Sequence, residues 1–131
     1  MDDLYREFIL DHYKNPRHKG RLPESQYEFE DENPLCGDHL EIFLKTDEKG
    51  KILDAKFEGH GCAISMASAD LLMDSIIGKE IEEVKHLSKQ TILDLLGFEL
   101  SPIRLKCALL SLKVAKAAAY EMQEATDELI A

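Results

Sequence analysis

Two hydrophobic rhythms divide this chain and limit what it can fold into. From about residue 27 to residue 59 the apolar residues alternate with polar ones: Tyr27 and Phe29 in "QYEFE", then Leu40, Ile42 and Leu44 in "HLEIFLKT". "DEKGK" follows as a turn, with Gly50 free to take a positive φ, and "ILDAKFEG" returns as a third strand. A period of two lines up side chains on one face of a sheet, and three such runs in succession predict an antiparallel meander. From Ala63 onward the spacing turns helical. The prediction is an α+β fold, a three-stranded antiparallel sheet packed against helices.

The helical stretches are bounded by their own punctuation. An N-terminal helix in "DLYREFILDHYKNP" has Leu4, Phe8, Ile9 and Tyr13 on mostly one side and ends at Asn15-Pro16. "AISMASADLLMDSII" stops at Gly78, and "EIEEVKHL" and "KQTILDLLG" read as two short helices. A long C-terminal helix is expected from about Pro102 to Thr126, with Leu105, Leu109, Leu112, Ala115, Ala119 and Met122 toward the core. With 131 residues and no internal repeat, residues 1–131 read as one domain.

Sixteen basic against 26 acidic residues leave a net charge of −10, a surface that nucleic acid would repel. No apolar run is long enough to span a bilayer, and the acidic start "MDDLYREFIL" is unlike an export signal, so the expected compartment is cytoplasmic. Against this acidic background "KNPRHKGR" is a basic island. It reads either as a solvated loop or as a docking surface for an acidic patch on a protein partner.

Cys36, Cys62 and Cys107 form an odd set in a chain of this kind, which argues against a disulfide framework. Cys36 enters the second strand, Cys62 sits between the third strand and the next helix, and Cys107 lies in the first turns of the long helix. Helix starts offer unpaired N–H groups that favour thiolate over thiol. Gly59 and Gly61, just before Cys62, allow a close backbone approach, and small residues keep the following helix slim. Three thiolates and the carboxylate of Asp38 suit a tetrahedral zinc ion or one face of an iron–sulfur cluster. The spacing C-x25-C-x44-C alone does not choose between them.

"NPLCGD", "FEGHGCAIS" with the "ASA" that soon follows, and "RLKCALLSL" resemble the three signature segments of the IscU/SufU/NifU-type iron–sulfur cluster assembly scaffolds. "LYREFILDHYKNPRHKG" is similar to the N-terminal segment of that family, so the likeness runs from about Leu4 to Ala118. The resemblance implies a compact α+β fold with the cysteines close together on an exposed surface. It implies Cys36, Asp38, Cys62 and Cys107 as ligands of a transient [2Fe–2S] cluster or of zinc. It implies as partners a cysteine desulfurase, recipient apo iron–sulfur proteins and, in one branch, an Hsp70-type chaperone.

The two branches differ in chemistry. One is a non-enzymatic scaffold that builds a cluster and passes it on; the other is a zinc-dependent sulfurtransferase that accepts persulfide sulfur. Lys106, where scaffolds usually carry histidine, resembles the second branch. The short interval between Cys62 and Cys107 resembles the first. Ser101-Pro102-Ile103-Arg104 only partly matches the Pro-Pro-Val-Lys stretch read by the chaperone. A structural zinc domain is a third reading, disfavoured because such sites use four Cys or His ligands. Within the site Cys107, beside Lys106 and three residues after Arg104, is the expected sulfur acceptor, with Cys62 second. Asp38, a hard ligand among soft ones, is the expected weak point for release. His12, His18 and His86 are given no metal role; His60, two residues before Cys62, is within reach of a metal but reads first as a loop or surface residue, and His39 is expected to point away from Asp38.

Overall fold

A computed structural model describes residues 3–34 and 37–130, with side chains from Glu7 onward. The order is α1 (Asp3–Lys14), β1 (Tyr27–Asn33), β2 (Asp38–Thr46), β3 (Ile52–His60), α2 (Ala63–Ile76), α3 (Ile81–Lys85), α4 (Lys89–Leu96) and α5 (Pro102–Ala119). A 3-10 turn at Asp127–Ile130 follows. The strands form one antiparallel sheet in the order β1-β2-β3, as their alternation predicts.

The alternation decides which face is buried. Leu40, Ile42 and Leu44 of β2, with Ile52, Ala55 and Phe57 of β3, lie beneath the helices and belong to one hydrophobic cluster with residues of α2, α4 and α5. Asp38 continues that inward series at the sheet end, so strand register sets its direction. α2 and α5 are buried on nearly every side. Each is therefore a central element rather than an amphipathic cover, and this explains their richness in alanine and serine: slim helices pack closely.

The outer face is covered by the basic island. Arg21 lies over the Phe43 ring, 4.8 Å from its centroid, and reaches Glu41 at 3.2 Å and Glu58 at 3.4 Å. Arg17 pairs with Asp11, and His18 with Asp74. The chain's own acids thus partner much of the island. The segment also follows β3 through backbone bonds, Gly20 N to Phe57 O at 2.8 Å and Phe57 N to His18 O at 3.0 Å.

One expected boundary is corrected. The long helix ends at Ala119 rather than near Thr126. Tyr120 caps it, Glu121 takes a positive φ of 55°, and Met122 N reaches back to Ala117 O at 3.0 Å. This is a left-handed helix stop made without glycine. The tail then folds back so that Asp127 meets Lys113 at 3.1 Å. Among the described residues no helix is long and apolar enough to cross a membrane.

Candidate metal centre

The site is assembled where the sheet hands the chain to α2. Asp38, the first residue of β2, is 1% exposed. Two residues, Gly61 and Cys62, join β3 to α2, and Cys62 is the helix N-cap with φ −71° and ψ 166°. Its Sγ accepts the Ser65 N–H at 3.4 Å, taking the place of the oxygen that usually caps a helix. Its own N–H donates to Asp38 Oδ1 at 3.0 Å, and its thiol lies 3.9 Å from Oδ2.

The glycines make that approach possible. A Cβ at Gly61 would overlap the Asp38 carboxylate, 2.7 Å from Cγ. One at Gly59, which has φ +141°, would run into the His39 carbonyl. The close approach expected at Gly61 is therefore to the carboxylate of Asp38.

Cys107 completes the described group. One ligand atom each from Asp38, Cys62 and Cys107 lies within 4.8 Å of the others. Two sulfurs on one tetrahedral zinc stand about 3.8 Å apart, from Zn–S bonds of roughly 2.3 Å. Side-chain rotations of the order of an ångström span that difference, so these residues fit a metal ion. Cys36, the fourth expected ligand, lies outside the described residues.

Two features of Cys107 differ from expectation. It is the sixth residue of α5, beyond the first turn in which the helix-end charge is felt. It is also 4% exposed, because α5 is packed around at that level, whereas Cys62 is exposed. Lys106, its neighbour, is exposed. A groove of about 510 Å³ passes beside Lys106 and Pro34, but Asp38, Cys62 and Cys107 do not line it. Of the three, only Cys62 is exposed, and it opens to solvent outside that groove.

The histidines are occupied elsewhere. His39 points out of the sheet, pairs with Glu30 at 3.3 Å and stacks on His60, with centroids 5.7 Å apart. His12 is bonded to Asp70 at 2.6 Å. His86 caps α3. The sequence reading missed Ser65, whose hydroxyl is buried near Cys62 with no hydrogen-bond partner among the described residues. Its composition signal, a small residue on a slim helix, pointed only to packing.

The fold agrees with what known proteins show. Residues 4–128 match the family model described as the NifU-like N terminal domain. The zinc-dependent sulfurtransferase SufU of Bacillus subtilis is 44% identical over 131 aligned positions, covering 86% of this chain and 87% of that one. The iron–sulfur cluster assembly scaffold protein IscU of Haemophilus influenzae is 35% identical, covering 87% and 91%. Among solved structures, FiSufU of Fervidobacterium islandicum superposes with a TM-score of 0.75 at 32% identity, covering 86% of this chain and 94% of that one. The chain belongs to the NifU-like N-terminal domain family.

Proposed function

We propose that this protein is a scaffold for iron–sulfur cluster assembly. It accepts sulfur from a cysteine desulfurase, holds a [2Fe–2S] cluster as cargo on Cys36, Asp38, Cys62 and Cys107, and passes it to apo-proteins. The observation that carries the reading is the convergence of Asp38, Cys62 and Cys107 at one edge of the fold, where soft thiolates and one hard carboxylate make a set suited to holding and releasing a cluster. The role is that of a platform rather than an enzyme.

Sulfur delivery is an exchange between sulfurs. A thiolate attacks the outer sulfur of the donor persulfide, the old S–S bond breaks, a new one forms, and the donor leaves as thiolate. The exposure of Cys62 supports it as the site of first encounter, with Cys107 as the inner acceptor beside Lys106. Conversion of sulfane sulfur to sulfide then draws electrons from an external thiol reductant.

The second reading, a zinc-dependent sulfurtransferase working with the same desulfurase, is favoured by Lys106 and by the 44% identity to the Bacillus protein of that name. Zinc on the same four residues would fix the thiolates in place and supply a Lewis-acid centre. Docking of an Hsp70-type chaperone falls to the Ser101–Arg104 segment, where Ile103 is 65% exposed.

One experiment separates the readings. The purified protein is incubated without oxygen with ferrous iron, cysteine, a cysteine desulfurase and a thiol reductant, and then mixed with apo-ferredoxin. The scaffold reading expects a visible absorption band from a stoichiometric cluster that moves to the ferredoxin. Tight zinc, faster desulfurase turnover and no cluster would replace it with the sulfurtransferase reading.

A further inference from the structure

α2 opens at the metal centre, and one polar atom there is left over. Ser65 is 1% exposed, and its Oγ is buried with no hydrogen-bond partner among the described residues. Buried hydroxyls are rarely left so, because losing water without gaining a partner is costly. The other serines of this helix avoid it by donating to a carbonyl one turn back: Ser68 to Ile64 O at 2.6 Å and Ser75 to Leu72 O at 2.9 Å. In α5, Ser111 does the same to Ala108 O at 3.1 Å. Ser65 alone of these four does not.

Its position in the helix limits what the hydroxyl can reach. Ser65 is the third residue of α2, and its backbone N–H already donates to Cys62 Sγ at 3.4 Å. Side chains on a helix lean toward its N-terminus, and residues three apart share a face. The Ser65 side chain therefore leans toward the helix mouth, where Cys62 Sγ sits within 4.8 Å of the ligand atoms of Asp38 and Cys107. A neutral thiol is a weak acceptor, whereas an anionic sulfur accepts strongly.

We propose that the Ser65 hydroxyl is a hydrogen-bond donor to Cys62 Sγ when that sulfur is a metal-bound thiolate, which makes Ser65 a positioning residue rather than a ligand. The inference rests on the reading of the site as a metal–thiolate centre. With its N–H and its O–H on one sulfur, Ser65 orients Cys62 and withdraws electron density from it. Hydrogen bonds to sulfur are among the levers by which a protein tunes such centres.

The test uses cobalt(II) as a spectroscopic probe, titrated into metal-free wild type, Ser65→Ala and Ser68→Ala. Thermal melting of each metal-free protein is measured alongside. Ser65→Ala is expected to melt at or above the wild-type temperature without metal, since it removes an unpaired buried hydroxyl. Its cobalt affinity should fall about tenfold or more, and its sulfur-to-cobalt charge-transfer band should move to lower energy. Ser68→Ala, which removes a paired hydroxyl, should melt lower and leave the band where it is. A Ser65→Ala protein with the wild-type band and affinity, or one whose affinity falls only in step with its metal-free stability, overturns the inference. A wild type with no cobalt–thiolate band overturns the metal-centre reading and this inference together; an unmoved band in the variant overturns this inference alone.

Discussion

A single hydrogen atom at Gly61 decides whether the carboxylate of Asp38 can sit where it does. Any Cβ there would occupy the space of that group, and Asp38 has little freedom to yield, being fixed at a strand start and bonded to the Cys62 N–H. Gly61→Ala should therefore displace the carboxylate and break that bond while leaving the sheet and helices formed. A hydrogen bond to a charged group is worth about 1.5–3 kcal/mol, so zinc or cobalt affinity should fall roughly tenfold to a hundredfold. Chelator competition reads the affinity and far-UV circular dichroism reads the fold. Wild-type affinity in the variant would show that the carboxylate does not need this position. The sequence already marked Gly61 as a point of close approach and Asp38 as the carboxylate of interest. It did not join them, because the join is made by the register of β2 against β3, which no local pattern states. The burial of Cys107 was hidden for the same reason: it depends on what packs over α5, not on the neighbours of the cysteine in the chain.

Elements were legible where the backbone itself demands a residue type. Gly97 ends α4 with φ +77° and Gly78 follows α2 with φ +94°, and both stops were readable. The end of α5 was not, since the left-handed position there falls to Glu121 and the apolar stripe runs on through Met122. The turn between β2 and β3 was read from Gly50, yet its main tie is Asp47, whose Oδ1 accepts from Lys49 N and Lys51 N, each at 2.9 Å. The Lys51 N–H foremost, with the Lys49 N–H behind it, holds the Asp47 carboxyl below its ordinary value, against a smaller opposing effect of desolvation. A carboxyl depressed on folding contributes stability that is complete above its unfolded value, near 3.8, and lost as pH falls through the folded one. Asp47→Ala should therefore melt below wild type at neutral pH, with the gap closing as the solution is acidified below about pH 4. Melting temperatures across that range check it, and a gap that stays constant into strong acid would rule the turn carboxylate out as its source.

At the scale of the whole molecule, the segment that follows α1 is tied to the helical core by a buried carboxylate. Asp70, in the middle of α2, is 0% exposed. Its Oδ2 meets His12 Nδ1 of α1 at 2.6 Å, and its Oδ1 accepts from Arg17 N and His18 N, each at 2.8 Å. The amides of the segment after α1 are thus held by a side-chain carboxylate of α2 on one side and by the backbone of β3 on the other, with Gly20 N on Phe57 O. This explains why a run that reads as a solvated basic loop follows a fixed path. Its charges turn outward to Asp11, Asp74, Glu41 and Glu58, while its amides turn inward. Asp70→Ala would remove the buried acceptor of two backbone donors and an imidazole. Breaking a buried charged network in this way costs about 3–5 kcal/mol, a large share of the stability of a small protein. Asp70→Asn should cost less, because its carbonyl oxygen still accepts both amides and its NH2 can donate to a neutral His12. Hydrogen exchange locates the effect: the Arg17 and His18 amides should lose protection in Asp70→Ala well before those of β2. The cobalt affinity of the molecules that remain folded should stay near wild type, since Asp70 is two turns along α2 from Cys62. Uniform loss of protection across the sheet would show that this carboxylate holds the whole core rather than the N-terminal segment.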